Sequence, residues 1–402
     1  MTLPSLHGHA ILETVGLDAV FRAIADAGGD ARIVGGAVRN ALLGEPVLDI
    51  DIATTLTPEQ VLEAAAAAGL KTVATGIEHG TVTVISGNSG FEVTTLRHDV
   101  ETDGRKAKVA FTDDWAADAA RRDFTLNALY CSRDGEVFDP VGGIADLDAR
   151  MVRFVGDPQA RIQEDYLRIL RFFRFISQYG RDGVDADGLA ACRQLRTGLK
   201  QLSRERVGQE TCKLLCGRRA GEVAVLMNDA GINRTLFGSD MDADLLASVI
   251  KRAGSLGVKP DYTTLLAAAL PLGADEQSAL LRLSNVQSRS LGDVQSAMAP
   301  SPALRDNERK AVLYQTGVET WKRVVLLAWA RDGEAGDEDW AGLYALPEQW
   351  EIPVFPVTGS DILATGIEAG PQVGEALNAL EDWWVAGGFV ASREELLARL
   401  TA

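Results

Sequence analysis

Histidine and cysteine are scarce, with four of each in 402 residues. His7, His9, His79 and His98 are spread along the chain, which argues against a zinc site and leaves carboxylates as the ligands of any metal. His98-Asp99 lacks the further His and Asp neighbours of a metal phosphohydrolase and reads as loop. Cys131, Cys192, Cys212 and Cys216 have neither CxxC spacing nor the density of a disulfide scaffold, so a reducing cytoplasm fits them best. No apolar run approaches the roughly 20 residues that cross a bilayer. The opening stretch, MTLPSLHGHAILETVGLDAVFRAIADAGG, lacks the basic start and compact apolar core of a secretory signal. Its Ile11, Leu12, Val15, Val20, Phe21 and Ile24 suit one face of an amphipathic helix. No repeat of fixed period occurs, and the alanine run at 64–68 is the only low-complexity segment.

A hydrophobic content of 46% with 24% charged residues is that of a soluble globular protein, and the length suffices for two to four domains. The net charge of −17 argues against non-specific nucleic-acid binding, but it is unevenly placed. Residues 150–219 hold 15 Lys and Arg against 8 Asp and Glu, a balance of +7 that leaves −24 elsewhere. A basic middle in an acidic chain suits a polyanion held in one groove and repelled from the rest of the surface.

From about residue 31 to 150, short β-like runs alternate with short helices. ARIVGG, LDIDIA, LKTVAT, GTVTVIS, FEVTTLR and ALYCSRDGEVFDP read as strands, while AVRNALLG and TPEQVLEAAAAAG read as helices. Thr57 caps the second helix, with Pro58 at its first position. After about 151 the strand pattern gives way to helical spacing, so the chain is α+β with a largely helical second half. Breaks rich in Pro, Gly and Asp fall near 236–242, 298–307 and 346–360.

The centre of this pattern is LDIDIA. On a strand Asp49 and Asp51 project to one side while Leu48, Ile50 and Ile52 pack on the other. Two adjacent carboxylates repel each other until a hard divalent cation sits between them, and Mg²⁺ is the natural ion; a solvated acidic face is the alternative. Upstream, Gly35-Gly36-Ala37-Val38-Arg39 joins a strand to a helix, where backbone amides make an anion cradle and Arg39 adds a charged fork. A tight turn would explain the glycines equally well. Glu92 is a third carboxylate that faces the metals or an exposed strand residue paired with Arg97. Arg121 and Arg122 head an apolar helix and neutralise a polyphosphate or form a basic surface turn, with Asp123 or Thr125 as the cap.

In EDYLRILRFFRF, Asp165 and Arg168 lie one turn apart on a helix beginning near residue 162. Cytosine and adenine each present an amino donor beside a ring-nitrogen acceptor, whereas guanine and uracil present the reverse. An Asp acceptor next to an Arg donor therefore accepts C and A and rejects G and U. Arg174 points nearly opposite Asp165, so Arg171 and Arg174 hold neighbouring groups or phosphates. Salt bridges that solvate one helix face are the alternative.

Taken in order, IVGGAVRN, LDIDIA, FEVTTLR, RRDFTLNAL and EDYLRILRFFRF resemble the class II tRNA nucleotidyltransferase and bacterial poly(A) polymerase family. The likeness covers about residues 31–215, with SRERVGQE, around Glu205 and Arg206, similar to the next family motif. The segment FPVTGSDILATGIEAGPQVGEALNALEDWW looks like the C-terminal end of such enzymes. The resemblance implies a polymerase-beta-like nucleotidyltransferase head with a mixed or antiparallel sheet, followed by helical neck, body and tail. The expected boundaries are an N-terminal helix at 1–30, head at 31–150, neck at 151–220, body at 221–345 and an RNA-binding tail at 346–402.

The resemblance further implies that Asp49 and Asp51 bind Mg²⁺. It assigns Gly35, Gly36, Arg39 and Arg122 to the triphosphate, Asp165 and Arg168 to the base, and Arg171 and Arg174 to further nucleotide contacts. Asn40 stands where the family usually has Asp; it keeps the hydrogen bonds of the turn without the charge. The implied reaction is attack of a tRNA 3′ hydroxyl on the α-phosphate of CTP or ATP. Residues 97–111 form a polar loop like the segment linked to switching from C to A, which favours complete CCA synthesis. Poly(A) synthesis is the rival activity, and a catalytically silent RNA-binding protein is the rival of another class. Neither oligomeric state nor the choice between maturing new tRNAs and repairing worn ones is legible.

Overall fold

The computed structural model describes residues 3–73, 76–103, 106–181, 183–332 and 336–400, with backbone alone for His79, residues 99–103 and residues 106–109. The chain divides into two compact units. One comprises Met1–Arg219 with Leu226–Gly238; the other comprises Ala220–Val225 with Ser239–Ala402.

The first unit is built on a seven-stranded sheet. Helix α1 (Leu17–Asp26) precedes β1 (Ala31–Val34), α2 (Gly36–Leu43), β2 (Asp51–Thr54) and α3 (Pro58–Ala67). Then follow β3 (Lys71–Val73), β4 (Thr81–Ser86), β5 (Ser89–Thr95), β6 (Arg97–Asp103) and β7 (Lys106–Phe111). After α4 (Trp115–Ala120), the short β8 (Tyr130–Cys131) and β9 (Val137–Phe138) complete the strands. The spatial order is β3-β4-β5-β2-β1-β8-β9, with β2 and β5 parallel and all other neighbours antiparallel.

Register explains how this sheet presents its functional face. Ile33, Ile52, Val93 and Val82 form one row across four strands, and none is more than 1% exposed. Such β-branched side chains fit a pleated, fully buried surface. The adjacent row, Val34, Asp51, Glu92 and Thr83, points to the opposite face because side chains alternate. Part of that face is covered by a cluster of Val34, Ala53, Leu96, Ala119, Ala128 and Tyr130. The polar end of the row is left open. Thr57 caps α3 with Pro58 at its first position, as the sequence leads one to expect, and Gln60 completes a capping box.

Several local expectations are corrected. The N-terminal stretch is not one helix: a 3-10 turn at Ala10–Glu13 is separated from α1 by Gly16 at φ 90°. A Cβ there would lie 2.5 Å from the Ser86 carbonyl oxygen, so a close approach to the sheet breaks the helix and leaves Val15 74% exposed. In LDIDIA the strand begins only at Asp51, and Leu48 is exposed to 89% instead of packing beneath the sheet. Residues 97–111 are not a loop, since β6 and β7 pair as a separate antiparallel hairpin that includes His98 and Asp99; residues 104 and 105 lie outside the described residues. Cross-strand pairing overrides the polar composition. Residues 74 and 75 of LKTVAT also lie outside the described residues.

Beyond α5 (Gly143–Asp148), the unit continues with α6 (Pro158–Glu164), α7 (Leu167–Tyr179), α8 (Ala186–Leu195) and α9 (Arg204–Leu215). The expected helix from 162 is therefore two. Asp165 takes extended backbone (φ −156°, ψ 107°), and its carboxylate accepts the Leu167 N–H at 3.1 Å, ending one helix and starting the next. The aromatic face of α7 joins the head through Phe124, Phe154, Phe172 and Phe175, whose sequential ring centroids lie 4.9–5.3 Å apart.

The second unit is helical and packs two cores. One is formed by Trp321, Val325, Trp329, Trp340 and Leu343, and the other by Val357, Ile362, Leu380, Trp384 and Leu396. The helix Asp306–Arg331 serves both and is kinked at Gly317 (φ 73°, ψ 164°). Among the described residues no helix is long and apolar enough to cross a membrane.

Candidate active site

The parallel pairing of β2 with β5 sets Asp51 directly beside Glu92. Strand neighbours lie about 4.8 Å apart, so both carboxylates leave the sheet side by side on one face. Asp49 is in the connection before β2, outside the strand, but near enough to raise the Asp51 carboxyl. Burial of its surroundings contributes most to that upward shift, followed by Glu92 and then Asp49, while Arg122 opposes it. All three carboxylates are solvent-accessible, and among the described residues none has an ion-pair partner.

This donor set fits a hard divalent cation, which would relieve the repulsion. Among the described residues no three His, Cys, Asp or Glu side chains close a complete cage.

A carboxyl held above its unfolded value costs stability when ionised. The metal-free protein is therefore expected to gain stability as pH falls through the raised Asp51 value, and Asp51→Asn is expected to raise its melting temperature in the presence of chelator. A lower melting temperature for Asp51→Asn would contradict the crowding of these acids.

At the end of β1 the chain turns through Gly35 (φ 67°, ψ −122°) into α2. The Gly35 amide is used, donating to the Leu129 carbonyl at 3.0 Å. Gly36, Ala37 and Val38 occupy the first turn, whose amides have no intrahelical acceptor. Arg122 lies against this turn: its Nη1 is 3.7 Å from the position a Gly35 Cβ would take.

The double arginine ends α4 instead of heading a helix, and Asp118 one turn earlier organises it. Asp118 Oδ1 accepts from Arg121 Nη2 at 2.7 Å, and Oδ2 accepts from Arg122 Nη2 at 2.8 Å and from the Tyr130 hydroxyl at 2.7 Å. Burial alone would raise the Asp118 carboxyl, but the two arginines and Tyr130 outweigh it and hold the group at about 2. With Nε and Nη2 of Arg122 occupied, its Nη1 is turned to the glycine turn.

Arg39 is only 6% exposed and bridges α2 to α7. Its guanidinium donates to Asn127 Oδ1, to Asn40 Oδ1 at 2.9 Å and to the Tyr179 hydroxyl at 2.8 Å, and it lies 4.1 Å from the Tyr179 ring centroid. Burial lowers its pKa from the ordinary arginine value. Asn40 keeps the bonds of the turn, also donating to the Pro46 carbonyl at 2.9 Å.

Asp165 and Arg168 lie near each other but have different side-chain partners. Asp165 receives Arg206 Nη2 at 2.6 Å, whereas Arg168 Nη1 donates to Glu164 at 2.5 Å and to the Arg161 carbonyl at 2.9 Å. Arg171 donates through Nε to buried Asp123 at 2.7 Å, and Arg174 forms an ion pair with buried Glu210 at 2.6 Å. Asp123 also receives Asn127 Nδ2 at 3.0 Å. Burial raises the Asp123 carboxyl, but Arg171 and Asn127 prevail and hold it below its usual range. Arg171 and Arg174 thus tie α7 to the head and to α9.

The partners Asp118, Tyr130, Asn127, Tyr179 and Glu210 were not foreseen from the sequence. Asp118 was findable, since it stands three and four residues before two arginines and precedes them on a helix. Tyr179 was not, being 140 residues from Arg39.

Residues 31–153 match the poly A polymerase head domain. Over 92% of this chain and 87% of the relative, the chain is 36% identical to the mitochondrial CCA tRNA nucleotidyltransferase of Danio rerio. It is 32% identical to the CCA-adding enzyme of Levilactobacillus brevis, across 95% of this chain and 96% of that one. The crystal structure of the Bacillus stearothermophilus CCA-adding enzyme in complex with CTP superposes with a TM-score of 0.78 at 30% identity, covering 100% of this chain and 98% of the other. The α+β fold, the site order along the chain and this near-complete coverage agree: the chain belongs to the CCA-adding tRNA nucleotidyltransferase family.

Proposed function

We propose that this nucleotidyltransferase adds C, C and A to the 3′ end of tRNA from CTP and ATP, without a nucleic-acid template and with release of pyrophosphate. Placement of Asp51 and Glu92 side by side on one sheet face, with Asp49 adjacent and a glycine turn on the neighbouring strand, carries the reading. Asp49 and Asp51 hold the metal, and Glu92 is a third acid at the same centre. Mg²⁺ held there would lower the pKa of the attacking 3′ hydroxyl and offset the negative charge of the phosphates.

The chain's own groups supply position. The first-turn amides of α2 and Arg122 Nη1 receive the triphosphate, supported from below by the buried charge of Arg39. Asp165 and Arg168 read the amino donor and ring-nitrogen acceptor shared by cytosine and adenine, which requires each to exchange its partner, Arg206 or Glu164, for the base. Arg171 and Arg174 act by fixing the position of α7.

Two experiments test this. With CTP, ATP and a tRNA transcript lacking its 3′ end, the product is expected to gain three nucleotides in the order CCA; an ATP-only homopolymer would instead establish poly(A) synthesis. The likeness to CCA-adding relatives along nearly their whole length favours the first outcome. Asp165→Ala is expected to reduce discrimination of CTP against UTP by about 10²-fold or more in single-nucleotide incorporation. Unchanged selectivity would remove Asp165 from base recognition.

A further inference from the structure

Three guanidinium groups surround the ring of Phe175, those of Arg174, Arg39 and Arg171, centred 4.3, 5.2 and 5.6 Å from its centroid. Only two carboxylates answer them. Asp123 accepts Arg171 Nε at 2.7 Å, and Glu210 pairs with Arg174 at 2.6 Å. Arg39 has no carboxylate partner among the described residues, and its guanidinium donates instead to the neutral oxygens of Asn127, Asn40 and Tyr179. Three cations and two anions leave a surplus positive charge in this cluster, and Arg39 is the member without a counter-ion. We propose that Tyr179 is a positioning residue for the triphosphate, holding that surplus charge beneath the first turn of α2. This rests on the assignment of the α2 turn to the triphosphate.

One nitrogen of Arg39 joins the two features. Its Nη2 donates to the Tyr179 hydroxyl at 2.8 Å and lies 3.5 Å from the position a Gly36 Cβ would take. The atom that Tyr179 holds is therefore the one beside the first residue of α2. The Tyr179 ring gives a second hold, with the guanidinium carbon 4.1 Å from its centroid. Neither contact cancels the charge. A carboxylate in place of the phenol would grip the guanidinium as well but would offset the charge that attracts an anion to the turn. Burial adds to the effect, because a buried cation is screened by salt much less than one in water.

The place of Tyr179 in the chain extends the argument to the base. It is the last residue of α7, and Arg168, assigned to the base, lies in the first turn of the same helix. At 1.5 Å per residue the two are about 16 Å apart along the axis. One helix thus sets the base-reading group and the support of the phosphates relative to each other.

Steady-state incorporation by the full-length protein tests the proposal. Tyr179→Phe is expected to raise KM for CTP and for ATP about fivefold, and Tyr179→Leu, which also removes the ring, about twentyfold, with kcat and KM for tRNA within about twofold of the parent. Inorganic tripolyphosphate, which carries phosphates and no base, is expected to compete with CTP and to lose affinity by the same factor in each variant. A side chain that only held the fold together would lower kcat or the yield of active protein and leave these constants unchanged. Parent-like KM for both nucleotides in Tyr179→Phe, an equal rise in KM for tRNA, or tripolyphosphate inhibition that is absent or unchanged would each overturn the inference. Tyr179→Phe decides the matter even where Tyr179→Leu does not fold. If the parent incorporates neither nucleotide, or Arg39→Met keeps the parent KM for CTP, the underlying functional reading fails. If the parent is active, Arg39→Met raises KM for CTP and the Tyr179 variants behave as the parent, this inference alone fails.

Discussion

Asp49→Ala and Asp51→Ala proteins are each expected to lose incorporation of both CTP and ATP by about 10³-fold or more while binding tRNA nearly as tightly as the parent. The size of the effect follows from the role proposed for the two carboxylates, holding the charge that brings a hydroxyl and a triphosphate together. Nothing packed is removed, because both side chains are solvent-accessible at the open edge of the sheet face. Loss of activity with retained folding and RNA binding is thus the expected pattern. Asp51 should be the more damaging position, since its place on β2 fixes it beside Glu92, whereas Asp49 lies outside the strand. Single-turnover incorporation and filter binding of the same tRNA provide the measurements. Normal turnover in either variant would remove the metal assignment.

Asp118→Ala is expected to destabilise the first unit by about 3–5 kcal/mol, because deleting one partner of a buried ionic group leaves the others uncompensated. Asp118 is 1% exposed and is shared by Arg121, Arg122 and Tyr130. Its loss strands two guanidinium groups and a hydroxyl between α4, β8 and the glycine turn. Activity should fall too, since Arg122 Nη1 loses the anchor that aims it. Hydrogen exchange of the β1 and β8 amides, including Val34 and Tyr130, reports the opening of this unit without requiring the whole chain to unfold in one step. Protection factors changed by less than about tenfold would contradict the role given to Asp118.

The same carboxyl predicts an acid response. Its folded value of about 2 lies below its unfolded value of 3.8, so its contribution is fully present above about pH 4 and is lost as pH falls through 2. Exposed ion pairs of the second unit, such as Lys322 with Glu348 at 3.0 Å, should contribute far less to acid sensitivity. Protection of β1 and β8 is therefore expected to fall between pH 4 and 2 in the parent and to change much less in Asp118→Ala.

Legibility followed the range of the interactions. The Thr57 cap of α3 and the β1-turn-α2 unit were readable because each depends on residues a few positions apart. Alternation alone suggested that Asp49 and Asp51 share a face, yet LDIDIA did not reveal that the strand starts at Asp51 or that Leu48 is solvent-exposed. Strand length depends on how far the partners β1 and β5 extend, which lies outside the segment. The helix break at Asp165 was hidden because EDYLRILRFFRF has good helical spacing throughout; a carboxylate accepting the Leu167 N–H costs the pattern nothing. Hairpin β6-β7 was misread as loop because β6, RHDVETD, carries no apolar period of its own, and its pairing depends on β7, which sets Phe111 opposite Arg97 and Val109 opposite Asp99.

By itself the sequence determined which groups were present: clustered carboxylates in place of clustered thiols or imidazoles, a glycine turn before them, and a run of arginines after them. Only the tertiary structure decided how those groups are used. It set Glu92 beside Asp51, gave Arg122 to Asp118 with one nitrogen left toward the turn, and committed Arg171 and Arg174 to buried acids. The reason is physical: residue type fixes what a group is able to donate, accept or coordinate, but burial and the approach of distant partners determine which of those bonds it forms.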